Sequence, residues 1–218
     1  MSEPRDDLVL RAGALDTATL SDALDRLGFA GQCAGLKPCG DFRMAGRAFT
    51  LRYASAGQPP GTVGDYIDDI PPGCVVALDN AGREDVTVWG DILTEVAHRR
   101  GVAGTAIHGI NRDVRLCREL GYPIFSRGVW MRTGKDRVQV DATGEPISLG
   151  GARVRQGDIL IGDADGVVAI PASEATRIIE AAEDIHHAEA SIRAACRDGM
   201  RLDEARKAFG YHALQTRR

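Results

Sequence analysis

At 218 residues the chain is ample for one large domain and short for two. A hydrophobic share of 44% beside 27% charged residues describes a globular protein and excludes a disordered one. The net charge of −4 speaks against nucleic acid as the principal ligand, because phosphate backbones call for a basic surface.

The first predicted element is a helix over Thr19 to Leu27, with Leu20, Ala23, Leu24 and Leu27 on one face and Gly28 as its stop. Coil rich in Gly and Pro follows from Gln32 to Gly40, and Arg47 to Tyr53 alternates as a strand. Gly61 to Asp69 opens a short helix before the turn at Pro71-Pro72-Gly73. The middle of the chain is more regular. Cys74 to Leu78 reads as a strand, Asp91 to Arg100 as a helix ended by Gly101, and Gly104 to Ile107 as the next strand. Asp113 to Leu120 reads as a helix ended by Gly121, and Pro123-Ile124-Phe125 starts a third strand. This spacing predicts two successive right-handed parallel crossovers.

Ligands of such sheets bind at the carboxyl ends of the strands. The loops Asn80 to Asp91 and His108 to Asp113 therefore share one edge, which brings Asp91 to Arg112 across 21 positions. Further on, Val138 to Val140, Ala152 to Val154, Asp158 to Ile161 and Val167 to Ile170 are short strands broken by Gly-rich turns. They predict a second, antiparallel layer, with Asp163-Ala164-Asp165-Gly166 as a hairpin turn. From Pro171 onward the pattern is helical, with Ala175, Ile178, Ile179, Ala182, Ile185 and Ala188 on one face. No repeat or linker interrupts the chain. The expectation is one α/β domain over residues 1–218: a central parallel or mixed sheet, an antiparallel β layer and a C-terminal helical segment.

The five cysteines (Cys33, Cys39, Cys74, Cys117, Cys196) are odd in number and form no CxxC. They match neither a disulfide framework nor a zinc site, so a reducing compartment is expected, with no bridge between Cys33 and Cys39. Met1 to Asp7 lack the basic and apolar regions of a secretory leader, and no apolar run approaches the ~20 residues of a membrane span. A cytoplasmic protein with no membrane and no nucleic-acid partner is the reading.

The chemistry concentrates in Ile107-His108-Gly109-Ile110-Asn111-Arg112-Asp113. A guanidinium can grip a carboxylate through two parallel hydrogen bonds, and a neighbouring carboxylate can hold a hard divalent cation. Each residue also has a plain structural reading. Asp113 and Asp91 are acids in first helical turns, favoured by the macrodipole by ~0.3–1 kcal/mol, and Asn111 is a natural cap. Their convergence on one sheet edge is what favours a site. Other signals are weaker. Gly134-Lys135 lacks the GxxxxGK[ST] arrangement of a phosphate loop. The stretch Arg127 to Arg137, with Trp130 and Met131, reads as a surface or subunit contact, and secondarily as a grip on a substrate's distal acid. His186 and His187 are adjacent, point to different helix faces and make a poor metal pair.

Several segments in order and at the right spacing resemble the RraA-like family. They are Trp89-Gly90-Asp91-Ile92-Leu93-Thr94, Gly101-Val102-Ala103-Gly104-Thr105, His108 through Val114, and Gly157-Asp158 with Gly162-Asp163-Ala164-Asp165-Gly166-Val167-Val168-Ala169-Ile170-Pro171. The resemblance runs from about Leu15 to Gly199. It implies a class II pyruvate aldolase that depends on a divalent metal and uses no lysine Schiff base. Such an enzyme cleaves a 4-hydroxy-2-oxo acid such as 4-hydroxy-4-methyl-2-oxoglutarate to pyruvate and a carbonyl product, and decarboxylates oxaloacetate.

Carried over by motif, Asp113 matches the ligand of Mg²⁺ or Mn²⁺, and Arg112 the arginine that steadies the enolate. The amides of Gly90, Asp91, Ile92 and Leu93 match the loop that holds the substrate carboxylate, and Asp91 also matches a carboxylate near the metal-bound waters. A glutamate from the neighbouring subunit's C-terminal helix matches Glu189, with Glu183 as the alternative. A homotrimer or dimer of trimers is implied. Two positions depart from the family: His108 stands where Asp is usual, and Asn111 where a small or apolar residue is usual. His108 is therefore a candidate proton-transfer group, which puts another 2-oxo acid forward as the substrate. The remaining alternative is the role of the family's namesake, a non-catalytic protein-binding regulator of RNase E.

Overall fold

The computed structural model describes residues 6–211; the leader reading of Met1 to Asp7 falls largely outside them. The first two elements are helices, α1 (Asp7–Gly13) and α2 (Thr17–Leu27), each started by an aspartate side chain that accepts a backbone N–H. Gly28 closes α2 at φ 77°, a left-handed conformation that glycine adopts without strain.

A single sheet dominates the molecule. Its strands are β1 (Lys37–Pro38), β2 (Met44–Ser55), β3 (Cys74–Asp79), β4 (Gly104–Asn111), β5 (Ile124–Val129), β6 (Val138–Thr143), β9 (Ile159–Asp163) and β10 (Gly166–Ile170). They run in the order β1-β5-β4-β3-β2-β9-β10, and β6 pairs with the far end of β2. Strands β2, β3, β4 and β5 are parallel neighbours; the helix α3 (Asp91–Arg99) links β3 to β4 and α4 (Val114–Leu120) links β4 to β5. These are the crossovers that the periodicity predicts.

The 12-residue β2 is longer than its alternation suggests because it serves three partners in turn. Its start pairs antiparallel with β9, its middle parallel with β3 and its end antiparallel with β6. The antiparallel strands expected as a second layer thus divide. β6, β9 and β10 join the large sheet, and only β7 (Ile147–Leu149) with β8 (Ala152–Val154) forms a separate antiparallel sheet. The turn at Asp163 to Gly166 is the expected hairpin; Asp165 N donates to Asp163 Oδ1 at 3.0 Å.

Residues 31–39 nearly close the sheet into a barrel. Ala169 N donates to Gly31 O at 2.8 Å and Cys33 N to Val167 O at 2.9 Å, while Lys37 and Pro38 pair with Ser126 and Phe125. The interior is filled by Leu36, Met44, Val75, Ala77, Ala106, Phe125, Leu160 and Val167. Gly162 makes room for the ring of Phe125, since a Cβ there would lie 2.7 Å from its Cζ. A second core lies under α3 and α4, around Leu78, Trp89, Ile107 and Tyr122. A third lies under α1, α2 and the 23-residue α5 (Ala175–Arg197), which turns Ile178, Ile179, Ala182 and Ile185 inward. Arg11 clamps α1 to α5 by a two-bond grip on Glu183 at 2.9 and 2.7 Å. The short α6 (Leu202–Ala208) ends the described chain. No disulfide joins any two cysteines among the described residues, and Cys33 and Cys39 sit in different cores.

Candidate active site

The cleft opens where the parallel strands end. Strand β4 continues to Asn111 instead of stopping at Ile107, and one extra residue between Ile107 and Ile110 bulges it against β5. Bulges re-aim the side chains that follow them. Here the chain leaves the sheet at Arg112, and Asp113 takes a left-handed conformation at φ 60° before α4 begins. Asp tolerates that region better than most residues. Asn111 does not cap α4: it is fully buried, and its Oδ1 accepts from Ser126 Oγ at 2.8 Å and from Cys39 Sγ at 3.4 Å.

The second loop, Trp89-Gly90, is locked to the first. Arg112 N donates to Trp89 O at 3.1 Å. Trp89 lies parallel to Tyr122 with ring centroids 6.2 Å apart, and its Nε1 donates to Thr94 Oγ1 at 2.9 Å. Thr94 Oγ1 in turn donates to Gly90 O at 2.9 Å. Burial pushes the Tyr122 phenol up, so it stays neutral and serves as packing.

Three predicted residues meet in this clasp. Arg112 Nε lies 3.2 Å from Asp113 Oδ2, and Asp91 N donates to the same oxygen at 3.2 Å. Ile92 N donates to Asp91 Oδ1 at 2.9 Å. Two amides in the first turn of α3 are therefore already bonded to carboxylate oxygens, the chemistry expected of a carboxylate cradle. Gly90 lets the two loops close this tightly: a Cβ there would lie 2.8 Å from Asp113 Oδ2 and 3.1 Å from Arg112 Nε, and those side chains would have to shift.

The cleft beside the clasp has a volume of about 500 Å³. Gly90, Asp91, Ile92, Leu93 and Arg112 line it. Its other walls were not legible as a site. Val63, Ile67 and Asp68 come from the 3₁₀ segment Asp65–Asp69 and the residues before it, and Thr133, Gly134 and Lys135 from the segment expected at the surface. Lys135 forms no ion pair among the described residues. For Thr133 to Lys135 the signals were the Gly134-Lys135 dipeptide and the secondary reading of Arg127 to Arg137 as a grip on a substrate's distal acid.

Two candidates lie elsewhere. His108 belongs to β4, not to a loop, and does not line the cleft. Its Nδ1 lies 3.0 Å from Ser148 O and 3.2 Å from Asp79 Oδ1. Both partners are acceptors, so Nδ1 carries the proton and the ring ties β7 to the large sheet. The expected proton-transfer role gains no support from this placement. Glu189 sits on α5, 3.3 Å from Arg193 of the same helix, and is also absent from the cleft walls of its own chain. Glu183 is engaged by Arg11, whose guanidinium holds its carboxyl below the ordinary range.

The donor set suits a sparsely ligated hard cation. Asp113 offers oxygen only, and no group of three or more His, Cys, Asp or Glu able to hold a metal exists among the described residues. A Mg²⁺-like ion that keeps most of its waters fits such a site; an ion that needs a full protein cage does not.

A parallel-sheet crevice with an arginine–aspartate clasp at a helix start defines an α/β protein with a candidate site at its sheet edge. The Aldolase/RraA family model, described as RraA-like, matches residues 17–169, and the chain belongs to that family. Protein DlpA of Legionella pneumophila is 35% identical over 201 residues, 90% of this chain, which spans only 32% of DlpA's length. A protein named putative 4-hydroxy-4-methyl-2-oxoglutarate aldolase, from Halalkalibacterium halodurans, is 31% identical over 84% of this chain and 85% of its own. The crystal structure of Streptomyces coelicolor RraAS2, titled an unusual member of the RNase ES inhibitor RraA family, superposes with a TM-score of 0.80. It is 26% identical and covers 88% of this chain and 98% of its own. No helix among the described residues is long and apolar enough to cross a membrane.

Proposed function

We propose that this protein is a carbon–carbon lyase, a class II pyruvate aldolase that cleaves a 4-hydroxy-2-oxo acid to pyruvate and a carbonyl product. Oxaloacetate decarboxylation follows from the same chemistry, since loss of CO₂ leaves the same enolate. The observation that carries the reading is the clasp: Arg112 and Asp113 packed against amides of α3 that already donate to carboxylate oxygens. The aldolase name of the Halalkalibacterium relative supports it.

In this reading the amides of Gly90 to Leu93 hold the substrate carboxylate. Asp113 would hold Mg²⁺ or Mn²⁺, whose chemistry when bound is Lewis acidity toward the 2-oxo group. Asp91 takes the proton of the 4-hydroxyl, directly or through a water, as a general base. The C3–C4 bond then breaks, C4 leaves as a carbonyl, and the electron pair passes to the 2-oxo group. Arg112 stabilises the resulting enolate oxygen through its guanidinium, and a proton returned to C3 gives pyruvate. Glu189 completes the site from a neighbouring copy, which makes the active unit a trimer or a dimer of trimers in the cytoplasm.

Arg112→Ala and Asp113→Ala are each expected to abolish pyruvate release. EDTA is expected to stop the wild type, with Mg²⁺ or Mn²⁺ restoring it. Full activity in either variant defeats the assignment. The RNase-regulator reading, which the Streptomyces relative's title favours, gains the upper hand if the protein binds RNase E tightly and releases no pyruvate from any 4-hydroxy-2-oxo acid.

A further inference from the structure

The cleft is larger than a pyruvoyl group requires, and its walls differ in chemistry. Its volume of about 500 Å³ falls within the ~300–1,000 Å³ of pockets that enclose drug-sized ligands. Arg112 and the first amides of α3 supply polar groups. The 3₁₀ segment and α3 add aliphatic side chains, Val63, Ile67, Leu93 and Val96, with Ile92 75% exposed beside them. Gly64 leaves room on this wall; a Cβ there would lie 2.8 Å from Leu93 Cδ2.

The charges on the 3₁₀ wall are acidic. Asp65 and Asp68 rise from the 3₁₀ segment, and Asp68 is only loosely matched by Arg100 at 3.5 Å. Lys135 enters from a third wall, on a segment seated against Thr87, two residues before Trp89 of the clasp. A second carboxylate extended between Val63 and Val96 would shed water against aliphatic side chains and face like charge. An alkyl or aryl group there would be buried favourably.

On the aldolase reading above, we propose that the substrate carries an apolar group on C4 in place of a second carboxylate, housed between the 3₁₀ segment and α3. The preferred substrates are then 4-hydroxy-2-oxo monoacids with an alkyl or aryl tail. Hydrophobic pockets discriminate by ~10- to 200-fold per methylene. With the Mg²⁺-loaded protein, kcat/KM for 4-hydroxy-2-oxoheptanoate is expected to exceed that for 4-hydroxy-2-oxoadipate by at least ~10-fold. Val96→Lys, which sets a cation among the aliphatic side chains, is expected to lower that ratio at least ~10-fold, and Val96→Thr to lower it in the same direction if the lysine variant fails to fold.

Calorimetry with two unreactive probes gives a readout without turnover. 2-Oxoheptanoate is expected to bind more tightly than 2-oxoadipate, with the negative heat-capacity change of apolar burial. Equal or better use of the diacid, or a ratio unmoved by substitution at Val96, overturns the proposal. Absence of pyruvate from both compounds overturns the aldolase reading instead, and the probe comparison still decides which tail the cleft accepts.

Discussion

Gly90→Ala tests the clasp with one added methyl group. Gly90 sits at φ −148° and ψ −164°, extended backbone open to any residue, so the substitution introduces no conformational strain. Its effect is steric. The new Cβ would lie 2.8 Å from Asp113 Oδ2, about 0.6 Å short of the 3.4 Å at which ordinary contact begins, and 3.1 Å from Arg112 Nε. Either the carboxylate and guanidinium retreat or the Trp89-Gly90 loop lifts from Arg112. A displacement on the order of 1 Å in a positioned constellation costs ~10²-fold in rate, so kcat/KM is expected to fall by roughly 10- to 100-fold.

Stability should move little, because loss of glycine's freedom in the unfolded chain stabilises by ~0.4–1 kcal/mol and offsets part of the local strain. In a protein of this size the melting temperature is then expected to stay within ~4 °C of wild type. Pyruvate release coupled to lactate dehydrogenase reads the rate, and scanning calorimetry reads the fold. A folded Gly90→Ala protein with full kcat/KM would show that Arg112 and Asp113 do not need the positions this geometry gives them.

Leu78 is fully buried beneath α3, and Leu78→Ala is expected to cost ~2–5 kcal/mol in denaturant unfolding; a cost under 1 kcal/mol would place the core elsewhere. Glu183 contributes stability above its ordinary pKa of 4.5, and that contribution fades as pH falls through the lower value Arg11 imposes. Glu183→Gln should therefore flatten the decline in melting temperature below pH 4.5, and an unchanged acid limb would exclude the Arg11 clamp as its source. Burial pushes the Cys33 thiol up to about 12 and Cys117 to about 11. Alkylation at pH 8 should reach the half-buried Cys74 and Cys196 first and spare Cys33 until unfolding, which mass mapping of the labelled peptides would check.

Much of this architecture was legible because it is local. The period of Leu20, Ala23 and Leu24 and the stop at Gly28 define α2 without help from distant residues. The alternation of short apolar strands with capped helices predicts parallel order for β3, β4 and β5, and the switch-edge rule brings Asp91 to Arg112 and Asp113. Where local patterns misled, a distant partner decided. β9 and β10 read as a separate layer because period-two alternation reports a half-buried strand and not its neighbour. The run after Gly104 read as ending at Ile107 because His108 and Gly109 break its apolar character. The structure instead carries β4 through a bulge to Asn111, with His108 bonded to Ser148, 40 positions on.

The residues of the clasp, the three parallel strands and the glycine stops of α2 and α4 were thus determined by the sequence itself, since each depends on spacing, chirality or a neighbour a few positions away. Tertiary structure alone decided that β2 serves three strands, that residues 31–39 nearly close the barrel, and that Val63 and Lys135 stand at the same cleft as Arg112. Those outcomes turn on contacts between segments far apart in the chain, where packing and backbone pairing select one arrangement among many that the same local preferences allow.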